Sequence, residues 1–445
     1  MKMMNYIKII VSVLLVINSI QVSAQEILTK KEALQIALEN NYGVKIANNN
    51  VELAKNNSSI YNSGYLPSIT SSAGANYSNS NQSIERQDGT TNEVDGAITK
   101  SYSAEVSLNY TLFDGLGRKY NYKQLKETYN LSELQAREAI ENMYLQLFTV
   151  YFQIARLSEN TSNLKKALNI SKQRLARARY QYDYGQSTKL ELLNAEVDVN
   201  NDSITYLNTK QQYLNSKRDL NIVLGTQLTN DFNVETNVSF ISLRSLEELM
   251  QKATENNVSI KQLNKNIAIN QFNLKLNKSN YLPSASLLTS YGLNRIKNEN
   301  LANPFQVPLI NSSGFNAGIN LSWNLFDGGL TKTRVANAKI TLENQEILKQ
   351  QQLETVQNEL RNVYESYKNS LFILEAQKQN VVTNQNNFER SEERYKLGQI
   401  TSIEFRQAQI NLLNSQTALN NAKYDAKLLE LELLQLSGEI LNVNF

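Results

Sequence analysis

The apolar positions of this chain follow two rhythms. Ile140, Met143, Leu147, Val150, Ile154 and Leu157 succeed one another in steps of 3 and 4, and the series resumes at Leu164, Leu168, Leu175, Ala178 and Tyr182. Val356, Leu360, Val363, Tyr367 and Leu374 repeat the spacing further on. Such spacing keeps one stripe of a helix apolar, the seam along which helices pack side by side. The second rhythm alternates. Ala104, Val106, Leu108, Tyr110 and Leu112 are interleaved with Glu105, Ser107, Asn109 and Thr111, and Ala317, Ile319, Leu321, Trp323 and Leu325 with Gly318, Asn320, Ser322 and Asn324. Weaker alternation runs over 69–77 and 285–293. A period of two predicts strands with one apolar face.

Glycine and proline mark where these elements stop. Between Arg118 and Leu224 the only Gly is Gly185, and between Leu330 and Ser437 the only Gly is Gly398. Neither stretch holds a proline; all four lie at Pro67, Pro283, Pro304 and Pro308. Both residue types interrupt helices, so each clean stretch reads as two helices joined at one glycine. A helix from about 118 to 184 would be on the order of 100 Å long, more than a globular domain needs.

The plan occurs twice. Tyr65-Leu66-Pro67 returns as Tyr281-Leu282-Pro283, 216 residues on, and Leu112-Phe113-Asp114-Gly115 returns as Leu325-Phe326-Asp327-Gly328, 213 residues on. Gly185-Gln186 returns as Gly398-Gln399, Leu224-Gly225 aligns with Ser437-Gly438, and Asn40-Asn41 aligns with Asn256-Asn257. Matching punctuation at one period implies a duplication. The expected layout is therefore a first repeat over 25–225, with a β-hairpin at about 65–113 and a helical hairpin at about 117–224. A linker over 226–244 leads to a second repeat over 245–438, with a β-hairpin at about 281–326 and a helical hairpin at about 329–436. A tail over 439–445 closes the chain.

Composition narrows the chemistry. There is no His and no Cys, which removes the usual general base, thiol nucleophiles, disulfides, the commonest metal ligands and an acceptor for an N-terminal lipid. No catalytic, cofactor or metal constellation stands out, and a net charge of +3 is too small to point to nucleic acid. Lys2, Lys8, the apolar run from Ile9 to Ile17 and Val22-Ser23-Ala24 form a secretory signal over 1–24, expected to be cleaved before Gln25. The other reading, an uncleaved anchor, suffers from a run short of the about 20 residues a span needs.

Export and a lack of later apolar spans leave one route into a membrane, a closed β-barrel. The alternating segments have the length of about 9–11 residues that a tilted transmembrane strand needs, and Tyr110 and Trp323 suit an interfacial belt. A soluble half-buried sheet would alternate in the same way. Two hairpins give four strands, too few to close a barrel of at least about eight, so several chains would have to pool theirs.

With these marks in place, the chain resembles the TolC-like outer membrane factor family, the exit ducts of efflux pumps and type I secretion systems. The duplicated Tyr-Leu-Pro before a strand, the duplicated Leu-Phe-Asp-Gly leaving one, and the Tyr-x-x-Gly tips at Tyr182–Gly185 and Tyr395–Gly398 carry the resemblance across nearly the whole mature chain. It implies a mixed α and β membrane protein that forms a homotrimer. The trimer would have a 12-stranded transmembrane β-barrel in outer-membrane lipid, continued by a 12-helix periplasmic α-barrel. It also implies a belt built from the N-terminal stretch, residues about 225–244 and the tail, and partners in a periplasmic adaptor and an inner-membrane transporter. A periplasmic coiled-coil scaffold or adaptor is the alternative; it would share the seams but not the duplicated hairpins.

The resemblance also directs attention to the helical tips. Gly185, Gln186, Gly398 and Gln399 would meet the adaptor. Glu191 and Glu404, each six residues past its glycine, fall where the family narrows its periplasmic mouth with acids, beside Tyr182 and Tyr395. The next acid of that pattern is Gln407 here, and a basic residue two past the second glycine is Ile400. A structural role competes: Thr188-x-x-Glu191 and Thr401-x-x-Glu404 both read as capping boxes, and the two tyrosines end packed seams.

Overall fold

The computed structural model describes residues 27–228, 232–242, 244–300 and 307–443. The secretory signal expected over 1–24 and Pro304 lie outside the described residues. The elements, in order, are β1 (Ile27–Leu28), α1 (Lys30–Asn40), α2 (Tyr42–Asn57), β2 (Ser68–Glu85), β3 (Thr91–Asp114), α3 (Gly117–Asp183) and α4 (Lys189–Leu224). There follow β4 (Asn233–Val234), α5 (Leu246–Asn256), α6 (Val258–Ser279), β5 (Ser284–Glu299), β6 (Leu309–Ser322), α7 (Leu330–Lys396) and α8 (Ser402–Leu436). The copies match in detail: α1 and α5 have 11 residues each, and α3 and α7 have 67 each. No described helix is long and apolar enough to cross a membrane.

The chain forms two compact units. One comprises the described residues up to Asn48, Gln135–Lys261 and those from Gln352 on; the other comprises Asn49–Leu134 and Gln262–Gln351. Each draws on both copies of the repeat.

In the first unit the 3–4 seams are the core. Met143, Leu147 and Ile154 of α3 are buried with Phe148, Tyr151 and Phe152, against Ala33 and Ala37 of α1, Leu220 and Leu224 of α4, and Leu431 of α8. Val356, Leu360, Val363 and Tyr367 of α7 pack on Leu249 and Ala253 of α5 and on Leu433. Each fully buried side chain of this size stabilises by about 1.5–3 kcal/mol. Capping fixes where the short helices start. Thr29 and Glu32 form a complete capping box on α1, and Ser245 Oγ accepts from Glu248 N at 3.2 Å on α5.

One close approach is duplicated here. Asn41 Nδ2 donates to Val223 O at 2.8 Å, and Asn257 Nδ2 donates to Leu436 O at 3.0 Å, each satisfying a carbonyl in the last turn of a hairpin's returning helix. Gly225 and Gly438 follow, at φ +68° and +75°. A Cβ on Gly225 would lie 2.3 Å from Asn40 O, and one on Gly438 would lie 2.5 Å from the Asn256 carbonyl carbon.

The segment between the copies is held by buried donors. Tyr151 Oη donates to Leu28 O at 2.7 Å and accepts from Glu235 N at 2.9 Å. Lys30 Nζ reaches Asn237 O at 2.8 Å and Lys427 Nζ reaches Ser239 O at 2.9 Å. The buried Lys427 is paired with Glu430 at 2.6 Å, and Tyr367 Oη donates to the second oxygen of Glu430 at 3.0 Å. Satisfying each partner in this way is what makes a buried ion pair tolerable.

The second unit holds a four-stranded antiparallel sheet of order β2-β3-β5-β6, so the pairing of β3 with β5 joins the two copies. Residues directly opposite each other share a face. Ile69 pairs with Leu108, Val106 with Tyr291 and Tyr291 with Phe315; Tyr110 pairs with Leu287 and Leu287 with Ile319. One face is therefore apolar across all four strands. The other carries Ser72 opposite Glu105, Gly74 opposite Ser103, Ser107 opposite Ser290 and Gly292 opposite Gly314, with Leu288, Ile296 and Ile310 among the exceptions.

The strands are longer than alternation alone suggested, with 18 residues in β2 and 24 in β3. Towards the hairpin loop both faces are polar, as in Asn79, Asn81 and Gln82, so no period-two signal marks the extension. Asp114 and Asp327 explain the repeated Leu-Phe-Asp-Gly. Asp114 Oδ2 accepts from Arg118 N at 2.7 Å, and Asp327 Oδ2 accepts from Thr331 N at 2.9 Å, so each aspartate caps a 67-residue helix. The Thr331 side-chain and backbone donors hold the Asp327 carboxyl below the usual carboxylate range.

Candidate functional site at the helical hairpin tips

Both long hairpins turn by the same local device. Gly185 N donates to Tyr182 O at 2.9 Å and Gln186 N to Gln181 O at 2.7 Å; Gly398 N donates to Tyr395 O at 3.1 Å and Gln399 N to Arg394 O at 2.8 Å. These are paired Schellman bonds around a left-handed glycine. They use the carbonyl of each tyrosine, which any residue could supply, so the tyrosine rings need a separate account. Gly185, Gln186, Gly398 and Gln399 are all exposed.

The two acids are not equivalent. Thr401 and Glu404 form the full capping box, with Thr401 N donating to the carboxylate at 2.7 Å, Thr401 Oγ1 donating at 2.9 Å, and Glu404 N returning a bond to Thr401 Oγ1 at 3.2 Å. At the other tip Thr188 Oγ1 accepts from Glu191 N at 3.3 Å, but the Glu191 carboxylate accepts from Ser187 Oγ instead of the Thr188 amide. The expected box at Thr188 is thus only half made. The reason is local: Ser187 puts a hydroxyl within reach, whereas its counterpart Ile400 has none. The Thr401 backbone amide and hydroxyl hold the Glu404 carboxyl below the ordinary value of 4.5. The capping contribution is therefore complete above about 4.5 and is lost only as pH falls through the lower folded-state value.

The tyrosines differ as well. Tyr182 is 39% exposed, with Lys189 Nζ 5.2 Å from its ring centroid, so it does not end its seam in a core. Tyr395 is stacked on Phe405, with centroids 4.8 Å apart and planes at 11°, and Arg177 lies over its ring at 4.7 Å. Arg177 Nη2 also donates to Lys396 O at 3.2 Å. This cation–π stack ties α3 to the second tip.

A charged cluster behind the tips joins the two hairpins. Arg406 of α8 makes a bidentate pair with Asp202 of α4, both bonds 2.7 Å, and Ser171 Oγ donates to Asp202 at 2.6 Å. Arg174 of α3, 4% exposed, pairs with Asp198 at 3.1 Å and donates to Ser402 Oγ at 2.9 Å. Gln409 Nε2 reaches Ala167 O at 2.8 Å. Fork-to-fork arginine–carboxylate pairs of this kind are strong and geometrically specific.

Sequence reasoning missed this cluster because it followed what the copies share. The counterparts of Arg174, Asp198, Asp202 and Arg406 are Asn387, Asn411, Ser415 and Leu193. Charge present in one copy and absent from the other is the signal that would have found it.

Comparison with known proteins agrees with the geometry. The family described as outer membrane efflux protein matches residues 33–226 and 249–439. The outer membrane protein TolC of Vibrio cholerae is 22% identical over 384 residues, 85% of this chain and 83% of that protein. The outer membrane efflux protein BepC of Brucella suis is 22% identical over 406 residues, 89% of this chain and 81% of its own. Among solved structures, the CmeC outer membrane channel of Campylobacter jejuni superposes with a TM-score of 0.75 at 19% identity, covering 92% of this chain and 85% of that one. VceC of Vibrio cholerae gives 0.73 at 17% identity, over 92% and 95%.

Proposed function

Because this chain belongs to the outer membrane efflux protein family, we propose that it is a passive exit duct, built as a homotrimer, for an efflux pump or type I secretion system. Three copies of the four-stranded sheet would make a 12-stranded barrel in the outer membrane, and the paired long helices would make a 12-helix tunnel in the periplasm. A periplasmic adaptor and an inner-membrane transporter would load it, and the duct itself would do no chemistry. A cleaved signal over 1–24 would deliver it, and without Cys it carries no lipid anchor.

One observation carries this reading. The sheet is apolar on one face and polar on the other, and its outer strands β2 and β6 each have one edge unpaired among the described residues. Open backbone edges are not tolerated in lipid, and pairing β6 of one copy with β2 of the next removes all of them. The apolar face covers about ten residues per strand, roughly the 25 Å band of a membrane barrel at its usual tilt. Cysteine pairs, one on β2 and one on β6 of the same chain, in a chain that otherwise has none, are expected to form disulfide-linked trimers in one register, seen by non-reducing electrophoresis of the outer-membrane fraction. A folded, water-soluble monomer would refute the duct.

At the far end, Tyr182, Tyr395, Glu191 and Glu404 would line the closed aperture, and Gly185, Gln186, Gly398 and Gln399 would face the adaptor. Three copies would set up to six carboxylates around one mouth, which favours cations. Replacing Glu191 and Glu404 with Gln is expected to lower the cation-to-anion permeability ratio in planar bilayers. Unchanged reversal potentials would remove both residues from the aperture.

A further inference from the structure

The apolar face of the sheet ends, towards the hairpin loops, in a cluster of cations. Lys100 lies directly opposite Lys297, and Tyr102 lies opposite Arg295. These three are every Lys and Arg in the four strands, and all fall on the apolar face at the same rim. Opposed residues are about 5 Å apart and next-but-one residues about 7 Å, so the three charges share a patch roughly 10 Å across. Glu299 bridges Lys100 at 3.2 Å and Lys297 at 2.7 Å. Arg295 has no ion pair among the described residues. One carboxylate against three cations leaves an excess of two positive charges, in an arrangement where directly opposed lysines repel.

The surface beside Arg295 is shaped as well as charged. A shallow depression of about 480 Å³ lies here, lined by Tyr102, Ala104, Leu293, Arg295, Asn311 and Ser313. Tyr102, Ala104 and Leu293 make one side of it apolar, Asn311 and Ser313 make the other polar, and Arg295 lies among them. We propose that this patch binds the phosphorylated headgroup of an anionic outer-leaflet lipid, with an acyl chain lying along the depression. The inference rests on the sheet crossing the membrane with its hairpin loops outside. Headgroup phosphates then form the layer directly above the hydrocarbon, at the depth where these cations sit, and the charges complement each other. The same face carries no Lys or Arg at its helix-side end, so the preference is for one leaflet.

The test uses the purified full-length trimer, delipidated in detergent and titrated with diphosphorylated lipid A, monitored by native mass spectrometry. The K100Q/R295Q/K297Q variant is expected to retain at least about fivefold less lipid A than the parent, while E299Q, which removes the competing carboxylate, retains more. Equal retention by the parent and both variants would overturn the proposal. So would displacement of lipid A by millimolar inorganic phosphate, which would reduce the patch to a bare anion site. Outer-membrane recovery of the trimer, measured on the same samples, separates this outcome from failure of the duct itself: loss of lipid by a membrane-inserted trimer concerns the patch alone.

Discussion

Arg406→Gln and Asp202→Asn are each expected to raise the conductance of the reconstituted duct several-fold. Asp202 accepts both Arg406 bonds and the Ser171 hydroxyl, so removing Arg406 leaves a partly buried carboxylate without an ion pair, and removing the Asp202 charge leaves Arg406 only its longer contact with Asp198 at 3.5 Å. That costs about 2–4 kcal/mol, towards the lower end for such pairs because Arg406 keeps some solvent contact. The cost falls on the arrangement that holds the second hairpin against the first. Arg174, one turn away, still donates to Ser402 Oγ of the second hairpin at 2.9 Å, so the hairpins should loosen without unfolding. In the double variant no charge is stranded, and a coupling energy of about 1–3 kcal/mol between the sites is expected. Conductance unchanged in both single variants, with trimer yield preserved, would make the cluster a packing feature and not a latch.

Gly438→Ala and Gly225→Ala are expected to abolish recovery of trimer from the outer membrane, or nearly so. Each glycine lies in the left-handed region, where a side chain costs about 1–3 kcal/mol. Each also abuts backbone: the added Cβ would meet Asn40 O at 2.3 Å or the Asn256 carbonyl carbon at 2.5 Å. Backbone cannot rotate away as a side chain can, so overpacking adds about 1–3 kcal/mol more. Gly185 and Gly398 supply the control. Their φ values are +72° and +73°, yet nothing lies within 4 Å of an added Cβ. Alanine there is expected to cost only the backbone term, about 1–2 kcal/mol, and to leave trimer yield close to the parent's. Thermal dissociation of the trimer on electrophoresis reads both. Equal loss at all four sites would mean that turn conformation, and not the contact with Asn40 and Asn256, governs stability.

These two sets of variants show where sequence reading succeeds and where it stops. Gly225 and Gly438 were visible as one repeated glycine, but only the fold shows what each touches. Thr188 and Thr401 carry the same Thr-x-x-Glu spacing, yet one forms a full capping box and the other half of one, because the preceding residue is Ser187 in one copy and Ile400 in the other. Tyr182 and Tyr395 share a motif, but Phe405 and Arg177 engage only the second.

The long helices, their single-glycine turns, the alternating strands and the duplication can all be read from the order of the amino acids. Each is written in local periodicity, which a helix or a strand imposes on its own residues regardless of its neighbours. Tertiary structure alone decided that β3 pairs with β5 across the two copies, that the strands continue into segments polar on both faces, and that Arg174, Asp198, Asp202 and Arg406 converge behind the tips. It also decided that Lys100, Arg295 and Lys297 gather at one rim of the sheet. These arrangements join residues up to 235 positions apart, through side chains and ladder bonds that follow no period. The free energy that selects them comes from burying and pairing groups brought together by the whole chain, and no window of sequence contains both partners.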